Sequence, residues 1–204
     1  MQKKLVIFDF DGVLVDTLEA CFSIASSVNE NLSLDEYRTF FEGNIYEAKR
    51  LDGGEPRKYI PEFFERYDTA TRRLVIPSPL KDLVKKFAGE YALAIVSSTP
   101  TDLIRNILAR ENLADCFKEI LGSDIHNSKV IKIKMLLDQY SIAPVETIFI
   151  TDTLGDIREG EKCGVRSIAV VWGFHERERL ERGNPVAIVE NASELQSAIE
   201  KALS

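Results

Sequence analysis

Lys4-Leu5-Val6-Ile7-Phe8-Asp9-Phe10-Asp11-Gly12-Val13-Leu14-Val15-Asp16-Thr17 is the stretch that decides how the chain reads. Leu5 to Phe8 is a continuous apolar run rich in β-branched residues, the pattern of a strand buried on both faces of a parallel sheet. The run stops in two carboxylates, Asp9 and Asp11. Residues i and i+2 of a strand point the same way, so both acids can face one pocket at its end. Gly12 supplies the sharp turn that must follow. Two acids released by a buried strand call for a cation, and Mg²⁺ prefers such oxygens, binding through one or two carboxylates plus a substrate phosphate. A strand end with two solvated acids is the plainer alternative, and a DxD by itself does not decide between them.

Bulk properties narrow the classes. The chain has 204 residues, 45% hydrophobic and 29% charged, with a net charge of −7. That length buries a sizeable core as one domain, or as one domain with an insertion. No apolar run approaches the roughly 18 residues of a membrane span. Met1-Gln2-Lys3-Lys4 leads directly into the first strand, whose apolar run is too short for a signal-peptide core. The expectation is a cytoplasmic protein without membrane association. The negative charge argues against general nucleic-acid binding, and an anionic substrate would be held by local cations. Cys21, Cys116 and Cys163 are three, with no CxxC, so a disulfide framework or zinc site is not expected.

Downstream, the texture is helical from Asp16 to about Ser78. Helices are expected from Leu18, over Leu34–Leu51 and over Ile60–Leu74, separated by Asn31–Ser33 and Gly53-Gly54-Glu55-Pro56. A block this long is no ordinary loop after a first strand. After Pro79, strands alternate with helices. Strands are expected at Tyr91–Val96, Thr147–Thr151, Ser167–Val171 and Val186–Val189, and a short strand or turn at Phe117–Gly122. Helices are expected at Leu80–Phe87, Thr101–Glu111, Lys129–Tyr140, Ile157–Cys163 and Ala192–Leu203, the last capped by Asn191 or Ser193. This is an α/β chain with a doubly wound parallel sheet. In such sheets ligands lie beyond the carboxyl ends of the strands. Asp9 and Asp11, then Ser97, then Asp152 each follow an apolar strand, and a common sheet edge would gather them.

Asp9-Phe10-Asp11-Gly12-Val13-Leu14-Val15-Asp16-Thr17 after an apolar strand resembles the first motif of the haloacid dehalogenase-like (HAD) hydrolases. Ser97, Lys129 and Thr151-Asp152-Thr153-Leu154-Gly155-Asp156 resemble the second, third and fourth, in order. The resemblance covers nearly the whole chain, with phosphoglycolate phosphatases as the most similar subgroup. It implies a Rossmann-like core of residues 1–15 and 79–204 and a helical cap of residues 16–78 that selects the substrate. It implies Asp9 as nucleophile and Asp11 as general acid and base. Mg²⁺ would sit on Asp9, Asp152 and the backbone carbonyl of Asp11. Ser97, Ser98 and Lys129 would bind phosphate, and Asp156 would orient a metal-bound water or Lys129.

Several readings stay open beside these. Lys132, one helical turn on, rivals Lys129. Ser98 or Thr99 could cap the following helix. Asp156 could simply complement a helix dipole. Arg38, Asn44, Tyr46 and Arg50 are candidate selectors, and Gly43-Asn44 either faces substrate or is a plain turn. Trp172 reads as core packing. Thr151 stands where the family commonly has glycine. Within the family, Asp11 argues against dehalogenase chemistry. Lys49 and Lys58 lack the apolar setting of a Schiff-base lysine, and Thr151-Asp152 differs from the mutase pattern Glu-Asp. The expected activity is hydrolysis of a small phosphorylated metabolite. The alternatives are a phosphotransferase or mutase of the same family, a receiver-type phosphate acceptor, and a non-catalytic protein of this fold.

Overall fold

A computed structural model describes residues 4–46 and 62–204. Six parallel strands form one sheet in the order β3-β2-β1-β4-β5-β6. They are β1 (Leu5–Phe8), β2 (Ala92–Val96), β3 (Glu119–Leu121), β4 (Thr147–Thr151), β5 (Arg166–Val170) and β6 (Ala187–Val189). β1 is central. Leu5 pairs with Ala92 of β2 on one side and Thr147 of β4 on the other. Its residues alternate between two apolar layers. Val6 and Phe8 join the larger cluster, with Leu83, Val84, Leu195 and Ile199. Leu5 and Ile7 join a second cluster with Ile133, Leu136 and Phe149. Two-sided burial accounts for the unbroken apolar run.

Helices α4 (Ser78–Glu90), α5 (Thr101–Arg110) and α9 (Ala192–Ala202) serve the first layer, and α6 (Lys129–Tyr140) the second. α7 (Leu154–Glu161) follows β4, and a short α8 (Arg177–Glu181), not expected from sequence, follows β5. α7 begins three residues before its expected start. Thr153 caps it, its hydroxyl accepting the Asp156 N–H at 3.4 Å. Asn191, one of two candidates, caps α9 through the Glu194 N–H.

Between β1 and α4 lies a helical insert with α1 (Leu18–Ser26), α2 (Leu34–Thr39) and α3 (Phe63–Thr71). It has its own apolar cluster, including Cys21, Ile24, Tyr37, Phe63 and Tyr67, and reaches the sheet domain through Phe174. The helix expected over Leu34–Leu51 ends at Thr39, and residues 47–61 lie outside the described residues. The cause is competition for carbonyls. Phe41 O accepts the Gly155 N–H at 2.9 Å, and Glu42 O accepts Arg158 at 2.7 Å. Those carbonyls serve the sheet domain instead of a further helical turn. Among the described residues no helix is long and apolar enough to cross a membrane.

Candidate active site

The expected residues meet beyond the carboxyl ends of β1 and β4, where the strand order changes direction. The Asp9 N–H still pairs with Ile150 O at 2.8 Å, so Asp9 leaves the sheet beside Asp152. Gly12 then turns at φ +74°, and a Cβ there would lie 2.0 Å from Asp152 Oδ2. Only glycine permits that approach.

Lys129, the first residue of α6, bridges two carboxylates. Its Nζ donates to Asp9 Oδ2 and to Asp156 Oδ2, each at 2.7 Å. Thr151, where the family commonly has glycine, adds a hydroxyl to Asp156 Oδ2 at 2.8 Å. Burial alone would lower the Lys129 pKa, but Asp156 and Asp9 raise it beyond its ordinary value. Burial works against the charge of Asp156 too, yet Lys129 and its hydrogen bonds hold the carboxyl below the usual range. Asp9 moves the other way, pushed well up by burial despite Lys129. Asp152 is raised to about 7, again by burial first, with the Phe174 N–H opposing.

Asp152 is fully buried. Its Oδ2 accepts the Phe174 N–H at 2.7 Å, while its Oδ1 has no hydrogen-bond partner among the described residues. An orphaned buried carboxylate oxygen is costly unless a cation meets it. A divalent ion beside Asp9 and Asp152 would reverse the upward drift of both groups. Among the described residues no three His, Cys, Asp or Glu side chains form a metal cluster. The Asp9 and Asp152 carboxylates, with the orphaned Asp152 Oδ1, suit the oxygen preference of Mg²⁺.

Asp11 is encircled by hydroxyls. Thr17 and Tyr67 donate to its Oδ1 at 2.8 and 2.7 Å, and Thr99 donates to its Oδ2 at 2.7 Å. Ser97 stands 3.4 Å from the same Oδ2, while its own hydroxyl accepts the Thr99 N–H at 3.0 Å. Ser98, and not Ser97, lines the cavity. Neither Ser98 nor Thr99 caps α5. Asp124 does so from the loop after β3, accepting the Thr101 N–H at 2.7 Å and hydroxyl at 2.8 Å. Lys132 is fully buried and turns from the carboxylates, donating to the carbonyls of Ser97 at 2.5 Å and Gly122 at 3.3 Å. Burial, then the neighbouring Lys129 charge, lowers it to about 7.

The insert closes the site. Gly43, Asn44, Ile45 and Phe41 line a cavity of about 30 Å³ together with Asp9, Asp11, Lys129 and Asp152. That is room for roughly two or three water-sized groups. Asn44 donates to Glu159 Oε1 at 3.2 Å and to Asn127 O at 3.3 Å. Tyr46 donates to Ser98 O at 2.9 Å, and Arg38 to Phe174 O at 2.7 Å. Arg50, Lys49 and Lys58 lie outside the described residues. Trp172 donates to Val13 O at 3.1 Å and packs against the larger core cluster, as a packing residue does.

Sequence reasoning passed over Thr17, Tyr67, Thr99, Glu159 and His175. Glu159 accepts the N–H of Lys129 at 3.2 Å, thereby capping α6 and fixing the root of Lys129. His175 accepts the Leu154 N–H at Nδ1, 3.0 Å away, while its Nε2 lies 2.9 Å from Arg38 O. Only the helical spacing of Tyr67 within the insert, and the position of Glu159 one turn beyond Asp156, hinted at these two.

The sequence profile of the haloacid dehalogenase-like hydrolases matches residues 6–170. The chain belongs to this family. It is a hydrolase, and its similarity is to the phosphatases among them. A phosphoglycolate phosphatase from Psychrobacter arcticus is 25% identical, over 99% of this chain and 98% of the relative. A probable phosphatase, IndB, from Dickeya dadantii is 26% identical, over 97% and 94%. Among solved structures, a haloacid dehalogenase-like hydrolase from Streptococcus pneumoniae superposes with TM-score 0.74 at 21% identity, covering 96% of this chain and 98% of that one. A protein from Clostridium acetobutylicum described as a predicted phosphatase gives 0.78 at 23%, covering 98% and 100%.

Proposed function

We propose that the protein is a Mg²⁺-dependent phosphatase that hydrolyses a small phosphate monoester through an aspartyl-phosphate, in the manner of its phosphoglycolate phosphatase relatives. The observation that carries the reading is the Asp152 Oδ1, without a partner among the described residues, beside the Asp9–Lys129–Asp156 chain at one sheet edge. Asp9, Asp152 and the Asp11 carbonyl would hold the ion, which when bound offsets the repulsion between a dianionic phosphate and a carboxylate.

This chain's own groups then do the following work. Asp9 attacks phosphorus, and the bond to the ester oxygen breaks. Asp11 gives its proton to that leaving oxygen. A water next attacks the aspartyl-phosphate, Asp11 takes a proton from it, and phosphate leaves. Lys129 balances charge on Asp9 and on the phosphoryl oxygens, and Asp156 keeps Lys129 in place. Ser98, which lines the cavity, supplies a neutral donor, while the buried Ser97 hydroxyl is turned to Asp11 and the Thr99 N–H instead of the phosphate position. The helical insert, as the cap, excludes bulk water and limits the size of the leaving group.

Substrate choice follows from the same walls. Among the described lining residues, Lys129 is the one cation, and two carboxylates already share it; Glu159 adds another acid to the lining. A leaving group with a carboxylate, as phosphoglycolate has, meets no described cation beyond Lys129.

The test is Mg²⁺-dependent phosphate release from a panel of small esters that includes phosphoglycolate and its uncharged counterpart 2-hydroxyethyl phosphate. EDTA and Asp9→Asn serve as controls. Selective release abolished by both controls is the expected result. Undiminished release by Asp9→Asn would sink the nucleophile assignment.

A further inference from the structure

Asp11 must be aligned twice in each turnover, once toward the leaving oxygen and once toward water. Three hydroxyls within 2.8 Å hold its carboxyl group, with Ser97 a longer fourth at 3.4 Å, and they come from different parts of the molecule. Thr17 lies just before α1, and Thr99 lies in the turn after β2. The third, Tyr67, belongs to α3 of the insert, far from Asp11 along the chain. Its ring is fully buried, stacked on Phe63 at 6.4 Å and edge-on to Phe64 at 6.5 Å. The ring is therefore fixed by the apolar cluster of the insert, and its hydroxyl is carried to the acid at 2.7 Å. A buried phenol needs a polar partner, but the partner chosen here is the one side chain on which proton transfer depends.

We propose that Tyr67 is a positioning residue for Asp11: the insert delivers a phenol that fixes the orientation of the general acid, so the seating of the insert sets whether that acid is aligned. The inference rests on the acid–base role given to Asp11 above. In chemical terms, the ester bond breaks, its electron pair goes to the leaving oxygen, and the Asp11 proton follows. The resulting carboxylate receives the Tyr67, Thr17 and Thr99 O–H groups. Without the Tyr67 hydroxyl, Oδ1 keeps Thr17 alone, and the carboxyl is free to turn from the ester oxygen. Misplacement of a reacting group by about 1 Å can cost on the order of 100-fold.

The experiment compares two small substrates that differ in their need for a proton. The leaving group of 2-hydroxyethyl phosphate is an alkoxide that must be protonated; acetyl phosphate releases acetate, a stable anion. Tyr67→Phe removes one oxygen and keeps the packed ring, and its thermal midpoint should stay within about 3 °C of wild type. With Mg²⁺ present, the variant should lose about tenfold or more in kcat on 2-hydroxyethyl phosphate. In single turnover, phosphorylation of Asp9 by acetyl phosphate should slow less than about threefold and by 2-hydroxyethyl phosphate about tenfold or more, while hydrolysis of the aspartyl-phosphate, where Asp11 is the base, slows equally from both. Equal losses in the phosphorylation step on both substrates, or no loss in either step, would overturn the inference while the phosphatase reading stands. In an Asp11→Asn background, adding Tyr67→Phe should leave the residual acetyl phosphate turnover unchanged. A further drop there would show Tyr67 acting by another route. If wild type cleaves neither substrate nor any ester of the wider panel, the functional reading fails and takes the inference with it.

Discussion

The first two turns of α6 carry two buried lysines in opposite surroundings. Lys129 lies between the carboxylates of Asp9 and Asp156 and is held charged. Lys132 meets only the carbonyls of Ser97 and Gly122 and is lowered to about 7. The helix is the same and both heads are out of water, so the acceptors make the difference. A carboxylate repays the desolvation of an ammonium, whereas a carbonyl dipole repays only part of it. The first surroundings make a charge fit to meet phosphate; the second make a clamp on the backbone that carries Ser97 and Ser98.

Breaking the first side should have the largest effect. Lys129→Met leaves Asp9 and Asp156 buried without their shared cation, and kcat should fall about a thousandfold, read by steady-state phosphate release. Lys132→Met should cost less than about tenfold in kcat, because Lys132 only shapes the loop. Its signature lies in stability against pH. The folded pKa of Lys132 is depressed from 10.5 to about 7. Between those values the unfolded chain binds the extra proton, so the Lys132 contribution to stability rises with pH across that window. The melting temperature of wild type minus that of Lys132→Met should therefore increase from pH 7 to pH 9. A flat difference would mean that the two carbonyls suffice to keep the ammonium charged. The smallest effect concerns the link from the insert to Glu159, which caps Lys129. Asn44→Ala should raise KM by about threefold with kcat nearly unchanged, since it loosens closure without touching the reacting groups.

The same contrast explains what could be read from sequence. Asp9, Asp11 and Asp152 each interrupt or follow an apolar strand, and a charge at such a place stands out. The motif order points to Lys129 ahead of Lys132, but nothing in Lys129-Val130-Ile131-Lys132 shows which head meets carboxylates. That depends on Asp9 and Asp156, which β1 and α7 bring in from opposite ends of the chain. Tyr67 shows the same limit. In an amphipathic helix its spacing is identical whether the hydroxyl meets water or Asp11. The end of α2 was illegible for a related reason: the carbonyls of Phe41 and Glu42 are claimed by Gly155 and Arg158, contacts that no local pattern encodes. Asp124 capped α5 from a distance where Ser98 and Thr99 were the local candidates.

The central place of β1 has a consequence for synthesis. β1 precedes its partners in the chain, so it has neither until Ala92–Val96 has left the ribosome, and only one until Thr147–Thr151 follows. Through most of translation, Leu5–Phe8 is an apolar ribbon with at least one open hydrogen-bonding edge, the kind of segment that invites pairing with another chain. Asp9 directly follows this ribbon, and Lys3 and Lys4 precede it. Charges at both ends of such a ribbon act as gatekeepers against wrong pairing, and one of them, Asp9, is the group proposed to meet the phosphate.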